Sequence, residues 1–291
     1  MQNQWKSDKL VSTVWLADNL DNPTIRIIEV GDRKNPQAYD EGHIPGALHW
    51  PWKESLWDAT IREFLLPKDF SRLMEKSGVG RDTTVIFYSN SCQFAHYAFW
   101  ICEMRGYTKA KILHGNRTLW VKEKRPLTQE VPRVKPTRYP MRPIDEGSRI
   151  GRDGILAGLK NPDRVLLDVR SPEEFMGERV SPKWFGPDYG AERKGHIPGA
   201  QHLYYAELLN EDETFKSLEE LRDSLSRRGA TPDKEIVTYC RMSHRASMVW
   251  FAARYLLGYK RTKVYDGSWT EWGNLVGAPI VNESFPRERV E

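Results

Sequence analysis

One six-residue motif occurs twice in this chain and constrains its fold more than any other feature. The sequence Gly-His-Ile-Pro-Gly-Ala stands at 42–47 and again at 195–200. Six identical residues in the same order are not expected by chance, so the motif indicates two copies of one structural unit. The chain has 291 residues, which is the length of about two domains and agrees with a duplication.

The segments around the two motifs are also repeated. Each motif follows an apolar run that contains an acid, at 25–30 and at 165–170, and precedes a second apolar run, at 84–88 and at 235–239. Such runs, rich in Leu and β-branched residues, are typical of buried parallel strands. Helical stretches lie between them, so the sequence predicts an α/β fold with two domains, each a mainly parallel sheet flanked by helices.

The region between the two copies is rich in proline and basic residues. Four prolines fall within 130–143, a composition that favours an extended, semi-rigid connector over a packed element. We therefore predict an N-terminal domain at 1–129, a linker at 130–149 and a C-terminal domain at 150–291.

The second copy is longer than the first between its acid and its motif. The additional residues lie around 180–187 and contain Pro, Gly, Trp184 and Phe185, which indicates a surface loop. This loop either closes over a site or packs on the other domain, and the sequence leaves both alternatives open.

Cys240 follows directly after the strand predicted at 235–239. A mostly basic stretch precedes the next helix and consists of Arg241, Met242, Ser243, His244 and Arg245. In open α/β sheets, ligands bind at the carboxyl ends of the strands. The N–H groups of a helix start and the two arginines favour a thiolate, which is the nucleophilic form of cysteine. The sequence therefore predicts a reactive cysteine at 240.

The other two cysteines have different surroundings. Cys102 lies among apolar residues of a predicted helix, which indicates core packing. Cys92 lies in the first copy's loop, where Ser89 occupies the position that matches Cys240 and arginine is absent up to Arg105. We therefore predict that the first domain is catalytically inactive. An odd number of cysteines without Cys-x-x-Cys spacing indicates a reduced compartment and no metal site.

Charge and hydropathy limit the range of partners. The net charge is +4 and the charges are mixed, without the basic run that nucleic-acid binding requires, although a small anionic substrate would suit this balance. The chain has no apolar run of roughly 18 residues and no hydrophobic signal core at its start. These features predict a cytoplasmic protein that binds neither nucleic acid nor membrane.

With a Cys loop in the second copy only, and with Tyr-Asp-Gly-Ser-Trp-Thr-Glu-Trp at 265–272, the chain resembles the tandem-domain rhodanese sulfurtransferases. The resemblance implies two rhodanese-like domains and a thiosulfate sulfurtransferase with Cys240 as its catalytic sulfur carrier. Such enzymes take the outer sulfur of thiosulfate as a cysteine persulfide, release sulfite and pass the sulfur to cyanide or a thiol, without a cofactor. A protein could also be the sulfur acceptor.

The resemblance also implies roles for the residues that follow Cys240. The N–H groups of 241–245 would hold the persulfide, and Arg245, with Arg241 as a second candidate, would bind the sulfonate end of thiosulfate. Mitochondrial rhodaneses have an arginine at the position of Glu174, so this chain differs from them there. His43, His196, Asp168 and Arg170 are interpreted as structural, since both histidines belong to the motif that the inactive domain also carries.

Three other functions remain open. The loop differs from the Cys-Gly-(Ser/Thr)-Gly-Val-Thr of mercaptopyruvate-specific members, but mercaptopyruvate stays an alternative donor. Cys-loop phosphatases and arsenate reductases share the fold, but their loop has five residues between Cys and Arg. The loop found here has four, and this shorter loop would be cramped for a tetrahedral phosphate. The first domain could serve as a non-enzymatic module that shapes the site.

Overall fold

The computed structural model describes residues 7–31 and 37–284, which form two five-stranded parallel sheets flanked by helices. The strand order is β1-β5-β4-β2-β3 in the first sheet and β6-β10-β9-β7-β8 in the second. Each strand of the first sheet therefore has its counterpart at the same place in the second. This confirms the predicted α/β fold with two copies of one domain.

The first sheet consists of short strands whose order differs from their order in the chain. Its strands are β1 (Leu10–Val11), β2 (Ile25–Gly31), β3 (Leu48–Pro51), β4 (Thr84–Tyr88) and β5 (Ala110–Leu113). The helices in this part of the chain are α1 (Thr13–Ala17), α2 (Gln37–Glu41), α3 (Trp52–Leu56), α4 (Pro67–Lys76), α5 (Cys92–Met104) and α6 (Asn116–Lys122).

The second sheet repeats this plan. Its strands are β6 (Arg149–Ile150), β7 (Arg164–Asp168), β8 (Gln201–His202), β9 (Glu235–Tyr239) and β10 (Thr262–Tyr265). The α-helices are α7 (Arg152–Ala157), α8 (Pro172–Met176), α9 (Leu218–Ser226), α10 (His244–Phe251) and α11 (Ser268–Trp272), with 3₁₀ turns at Glu146–Ser148, Lys183–Phe185 and Tyr205–Leu208.

The strands β4 and β9 are buried, which explains their continuous apolar sequence pattern. In both β4 and β9 every residue after the first is buried, because helices cover both faces of each sheet. Both strands have the predicted bounds. Helix α10 follows β9 as predicted and continues through a π-helical turn, Ala252–Leu256. Its end is marked by Gly258 at φ +78°, a conformation that glycine adopts without strain.

The chain divides into two compact units. Within the described residues, the first unit is Ser7–Asp145 with Leu209–Phe215, and the second is Glu146–Leu208 with 216–284. The short segment Leu209–Phe215 thus belongs to the first unit, although it lies between elements of the second.

The region predicted as a linker, 130–149, is not uniform. Up to residue 145 it carries no helix or strand, and it packs within the first unit. The Ser71 hydroxyl donates to the carbonyl oxygen of Tyr139 (2.6 Å), and the Tyr139 ring is buried. Its last residue, Arg149, already belongs to β6 of the second unit.

Candidate active site

Cys240 is the first residue after β9, at the carboxyl end of that strand, and it is 1% exposed. Its N–H donates to Ser268 Oγ (3.2 Å), and its carbonyl oxygen accepts from the N–H of Trp269 (3.0 Å). The backbone of the cysteine is therefore fixed on both sides by the start of α11.

The residues after Cys240 are held by the segment that precedes and begins α11. The carbonyl oxygen of Arg241 accepts from both the N–H (3.1 Å) and the hydroxyl (2.7 Å) of Thr270. Ser243 has φ +71°, in the left-handed region, and its hydroxyl donates to the carbonyl oxygen of Asp266 (2.5 Å). These bonds stabilise a conformation that a serine adopts rarely. The segment 265–272 thus holds the cysteine loop in place through hydrogen bonds.

The amino end of α10 lies immediately beyond this loop. The helix begins at His244, so His244 and Arg245 belong to its first turn rather than to the loop that the sequence suggested. The side chain of Ser243, the residue before the helix, makes no capping bond with it. The first N–H groups of a helix have no partner within it and carry partial positive charge, which favours an anionic sulfur close by.

Arg245 forms a buried ion pair with Glu174. Its Nη1 donates to Oε2 (2.6 Å) and its Nη2 to Oε1 (2.9 Å), and the two side chains are 4% and 0% exposed. Burial alone would raise the pKa of Glu174, but the charge and hydrogen bonds of Arg245, together with the Arg170 charge and the Ser171 N–H, lower that pKa. Two of the five N–H groups of Arg245 are used in this pair, and Glu174 balances the charge that the predicted sulfonate-binding role would use.

Arg241 is buried in a different setting. Its Nη2 donates to the carbonyl oxygen of Tyr189 (2.9 Å), and its guanidinium lies 5.2 Å from the centre of the Tyr189 ring. Burial lowers the pKa of Arg241. Its Nη1 contacts the sulfur of the half-buried Met242 (3.8 Å). The inserted loop of the second copy therefore borders the cysteine loop, through a tyrosine that the sequence analysis did not single out.

Asp168 and Arg170 form a second buried pair, which supports the chain behind the site. Arg170 Nη2 donates to Asp168 Oδ2 (2.6 Å) and to the carbonyl oxygen of Gly195 (2.7 Å), and its guanidinium lies 4.3 Å from the Trp269 ring. Both side chains are fully buried. These contacts tie the end of β7 to the adjoining loop, which is the structural role predicted for the two residues.

The two motif histidines share one kind of contact, with an aromatic residue of their own unit. His196 stacks on Phe175 (3.8 Å between ring centres), and its Nδ1 lies 2.9 Å from the carbonyl oxygen of Phe175. His43 stacks on Tyr39 (3.7 Å), and its Nδ1 lies 2.8 Å from the carbonyl oxygen of Tyr39. The repetition agrees with the predicted structural role of these histidines.

The first unit has the same scaffold without the cysteine. Ser89 follows β4, its N–H donates to Asn116 Oδ1 (3.2 Å), and its carbonyl oxygen accepts from the N–H of Arg117 (3.3 Å). Cys92 was predicted to lie in the loop, which is wrong, because it is the first residue of α5. Cys102 is fully buried in the same helix and burial raises the pKa of its thiol, as expected of a core residue.

Comparison with known proteins assigns the family. The Rhodanese-like domain matches this chain twice, over residues 12–123 and 153–275. The chain belongs to the rhodanese family. The two matched regions agree with the two sheets, so the protein is a tandem-domain member, and the family indicates a sulfurtransferase.

Two relatives align over nearly the whole chain. The sulfur carrier protein TtuD of Thermus thermophilus is 46% identical over 278 residues, which cover 93% of this chain and 95% of that protein. A putative thiosulfate sulfurtransferase of Haloferax volcanii is 40% identical over 284 residues, which cover 96% and 98%. Among solved structures, a variant of EanB with ergothioneine covalently linked to a cysteine persulfide superimposes with a TM-score of 0.83, at 25% identity, over 97% of this chain and 72% of that one.

Between residues 7 and 284, leaving out 32–36, no helix is long and apolar enough to cross a membrane. The same part of the chain contains no group of three or more His, Cys, Asp or Glu side chains that could hold a metal ion.

Proposed function

We propose that this protein is a thiosulfate sulfurtransferase that carries the transferred sulfur as a persulfide on Cys240. The observation that supports this most is the position of Cys240, at the carboxyl end of β9 and close in the chain to the start of α10. A negative charge on sulfur is favoured there by the helix end and by the cationic Arg241. The bonds from Ser268, Trp269 and Thr270 hold the loop in place.

The reaction then follows in two displacements. The Cys240 thiolate attacks the outer sulfur of thiosulfate, the sulfur–sulfur bond of thiosulfate breaks, and sulfite leaves with the bonding electron pair. The product is an anionic persulfide, which the first N–H groups of α10 can stabilise. Cyanide or a thiolate next attacks the outer sulfur, which releases thiocyanate or an acceptor persulfide and restores the Cys240 thiolate.

The setting of Arg245 weighs against a phosphatase or an arsenate reductase. Such enzymes need the arginine of the loop to bind the oxyanion, whereas both terminal nitrogens of Arg245 donate to the buried Glu174. A protein as the sulfur acceptor is supported by the relative from Thermus thermophilus, which is named a sulfur carrier protein.

The direct test is thiocyanate formation from thiosulfate and cyanide by the wild type and by Cys240→Ser, with mercaptopyruvate as a parallel donor. We expect activity with thiosulfate and its complete loss in the variant. Mass spectrometry of the protein after thiosulfate alone should show one additional sulfur on the peptide that contains Cys240, which cyanide removes. A folded wild type that forms no persulfide from thiosulfate, or that prefers mercaptopyruvate, would overturn the proposal.

A further inference from the structure

Ser243 lies in the left-handed region of backbone space, at φ +71° and ψ −11°. For a residue with a side chain this conformation is less favourable by an amount that corresponds to roughly a 10-fold change in population, so other bonds have to maintain it. A left-handed residue beside a helical one turns successive backbone N–H groups to one side, which forms a concave site for an anion. Among the described residues, none accepts a hydrogen bond from the N–H of Met242 or of Ser243. The turn therefore leaves two N–H groups of the cysteine loop available to an anionic sulfur.

Asp266 holds Ser243 in this conformation. The Ser243 hydroxyl lies 2.5 Å from the Asp266 carbonyl oxygen and 3.2 Å from Asp266 Oδ1. A hydroxyl donates a single proton, and either of these two oxygens can accept it without a change in the turn. Asp266 is only 3% exposed, so water competes little for the same hydroxyl. The place of Asp266 therefore fixes the conformation of Ser243.

The side chain of Asp266 is itself held by Arg149. Arg149 Nη2 donates to Asp266 Oδ2 (3.0 Å), and the two side chains are 16% and 4% exposed. Hydrogen bonds between charged groups are stronger than neutral ones, and low exposure limits their screening by water. Arg149 lies in β6, the edge strand that pairs with β10, and Asp266 is the first residue after β10. A residue of the edge strand thus acts, through Asp266, on the turn beside Cys240.

The first unit differs at each of these places. By the register of the strands, Leu10 of β1 holds the place that Arg149 holds in β6. The residue after β5 is His114, whereas the residue after β10 is Asp266. Ser91, the residue before α5, has φ −138° and is extended. The ion pair and the left-handed serine therefore occur together in the unit that carries Cys240, and the equivalent positions of the first unit have neither.

We propose that Arg149 and Asp266 are positioning residues that keep Ser243 left-handed, so that the N–H groups of the cysteine loop face the sulfur carried by Cys240. This inference rests on the proposed function and deepens it, because it extends the machinery for the persulfide to the edge strand β6. The two side chains act on the sulfur only through the turn at Ser243. A glycine at 243 should make them dispensable, since glycine adopts positive φ without strain.

The test measures the rate constant of persulfide formation from thiosulfate, followed by mass spectrometry of the full chain. Arg149→Leu introduces the residue type of the first unit, and it should lower this rate constant about 10-fold, which is the change in population expected for an unsupported left-handed residue. In a Ser243→Gly background, Arg149→Leu should lower it by less than about 2-fold. Each ratio is taken within one background, so the effect of Ser243→Gly itself cancels.

Asp266→Asn is a second variant with the same expected outcome. It keeps the shape of the side chain and removes the charge that Arg149 binds, so it decides the question if Arg149→Leu fails to fold. Its loss of rate should likewise disappear in the Ser243→Gly background.

Arg164→Leu is the matched control, because it removes an ion pair of similar burial from the opposite end of the same sheet. Arg164 Nε donates to Glu235 Oε2 (2.6 Å), and the side chains are 13% and 14% exposed. The two residues begin β7 and β9, whereas Cys240 follows the end of β9. Arg164→Leu should lower the stability in urea and leave the rate constant of persulfide formation unchanged.

Three results would overturn this inference while leaving the proposed function intact. These are an unchanged rate constant in both Arg149→Leu and Asp266→Asn, an equal loss in the Ser243→Gly background, and an equal loss in Arg164→Leu. If the wild type itself forms no persulfide from thiosulfate, the proposed function fails, and this inference fails with it.

Discussion

The contributions of Glu174 and Arg245 to the free energy of unfolding should depend strongly on each other, because both charges are buried away from water. Glu174→Gln leaves Arg245 as an uncompensated buried cation, and we expect it to lower the free energy of unfolding of the second unit by about 3–5 kcal/mol. Glu174 also closes the capping box of α8 with Ser171, a role that glutamine can take over, so the substitution mainly removes the charge. The double variant Glu174→Gln/Arg245→Met removes both charges and should cost clearly less than the sum of its single variants.

The free energy of unfolding is measured in urea, with hydrogen exchange of peptides from 235–256 as the readout. These peptides report on the second unit by itself. The matched control is the pair of Asp223 and Arg227, in which Arg227 Nη2 lies 3.2 Å from Asp223 Oδ2. Their side chains are 60% and 74% exposed. Asp223→Asn and Arg227→Met should couple by only about 0.5 kcal/mol or less. A coupling between Glu174 and Arg245 no larger than this control would refute the reasoning.

Two other substitutions test the first unit. Cys102→Ala should retain thiosulfate activity, and a thiol reagent should modify Cys102 only after unfolding, as peptide mass spectrometry can show, because the thiol is buried in α5 and burial raises its pKa. Burial lowers the pKa of His114 from 6.5 to about 4, and its Nε2 accepts the N–H of Phe215 (2.8 Å). Between these pH values the unfolded chain binds the proton more readily, so the first unit should lose stability as the pH falls from 6.5 to 4. His114→Gln should weaken this dependence in denaturation curves measured across that range, and an unchanged dependence would contradict it.

The parts of the fold that follow from local pattern were predictable. Each of the strands β4 and β9 is a continuous run of residues, and Cys240 follows the second of them directly. The sequence alone therefore located both strands and the cysteine. The start of α5 at Cys92 was predicted wrongly, although the preceding Ser91 is of a residue type that commonly begins a helix; in the structure its side chain makes no capping bond.

The partners of the two arginines were not predictable for a different reason. Glu174 and Tyr189 are far from Arg245 and Arg241 in the chain, and neither pairing follows a helical or strand period. The sequence marked Glu174 only as a departure from mitochondrial rhodaneses. Because such a contact depends on how β7, α8 and the inserted loop meet β9 and α10, it becomes visible only when the elements are placed in three dimensions.

The two units show which part of this scaffold the chemistry needs. The N–H of Ser89 donates to the Asn116 side chain, and the N–H of Cys240 donates to the Ser268 side chain, both at a distance of 3.2 Å. Asn116 and Ser268 both have positive φ. The strand-end loop is therefore maintained where no sulfur chemistry is expected, which assigns these bonds to the fold. In the first unit the Ser89 hydroxyl donates to the carbonyl oxygen of Ser91 in the same loop (2.5 Å) and accepts from the N–H of Ala95 near the start of α5 (3.2 Å). What distinguishes the second unit is the thiol at this position together with the arginine beside it, and these are the features on which the proposed activity depends.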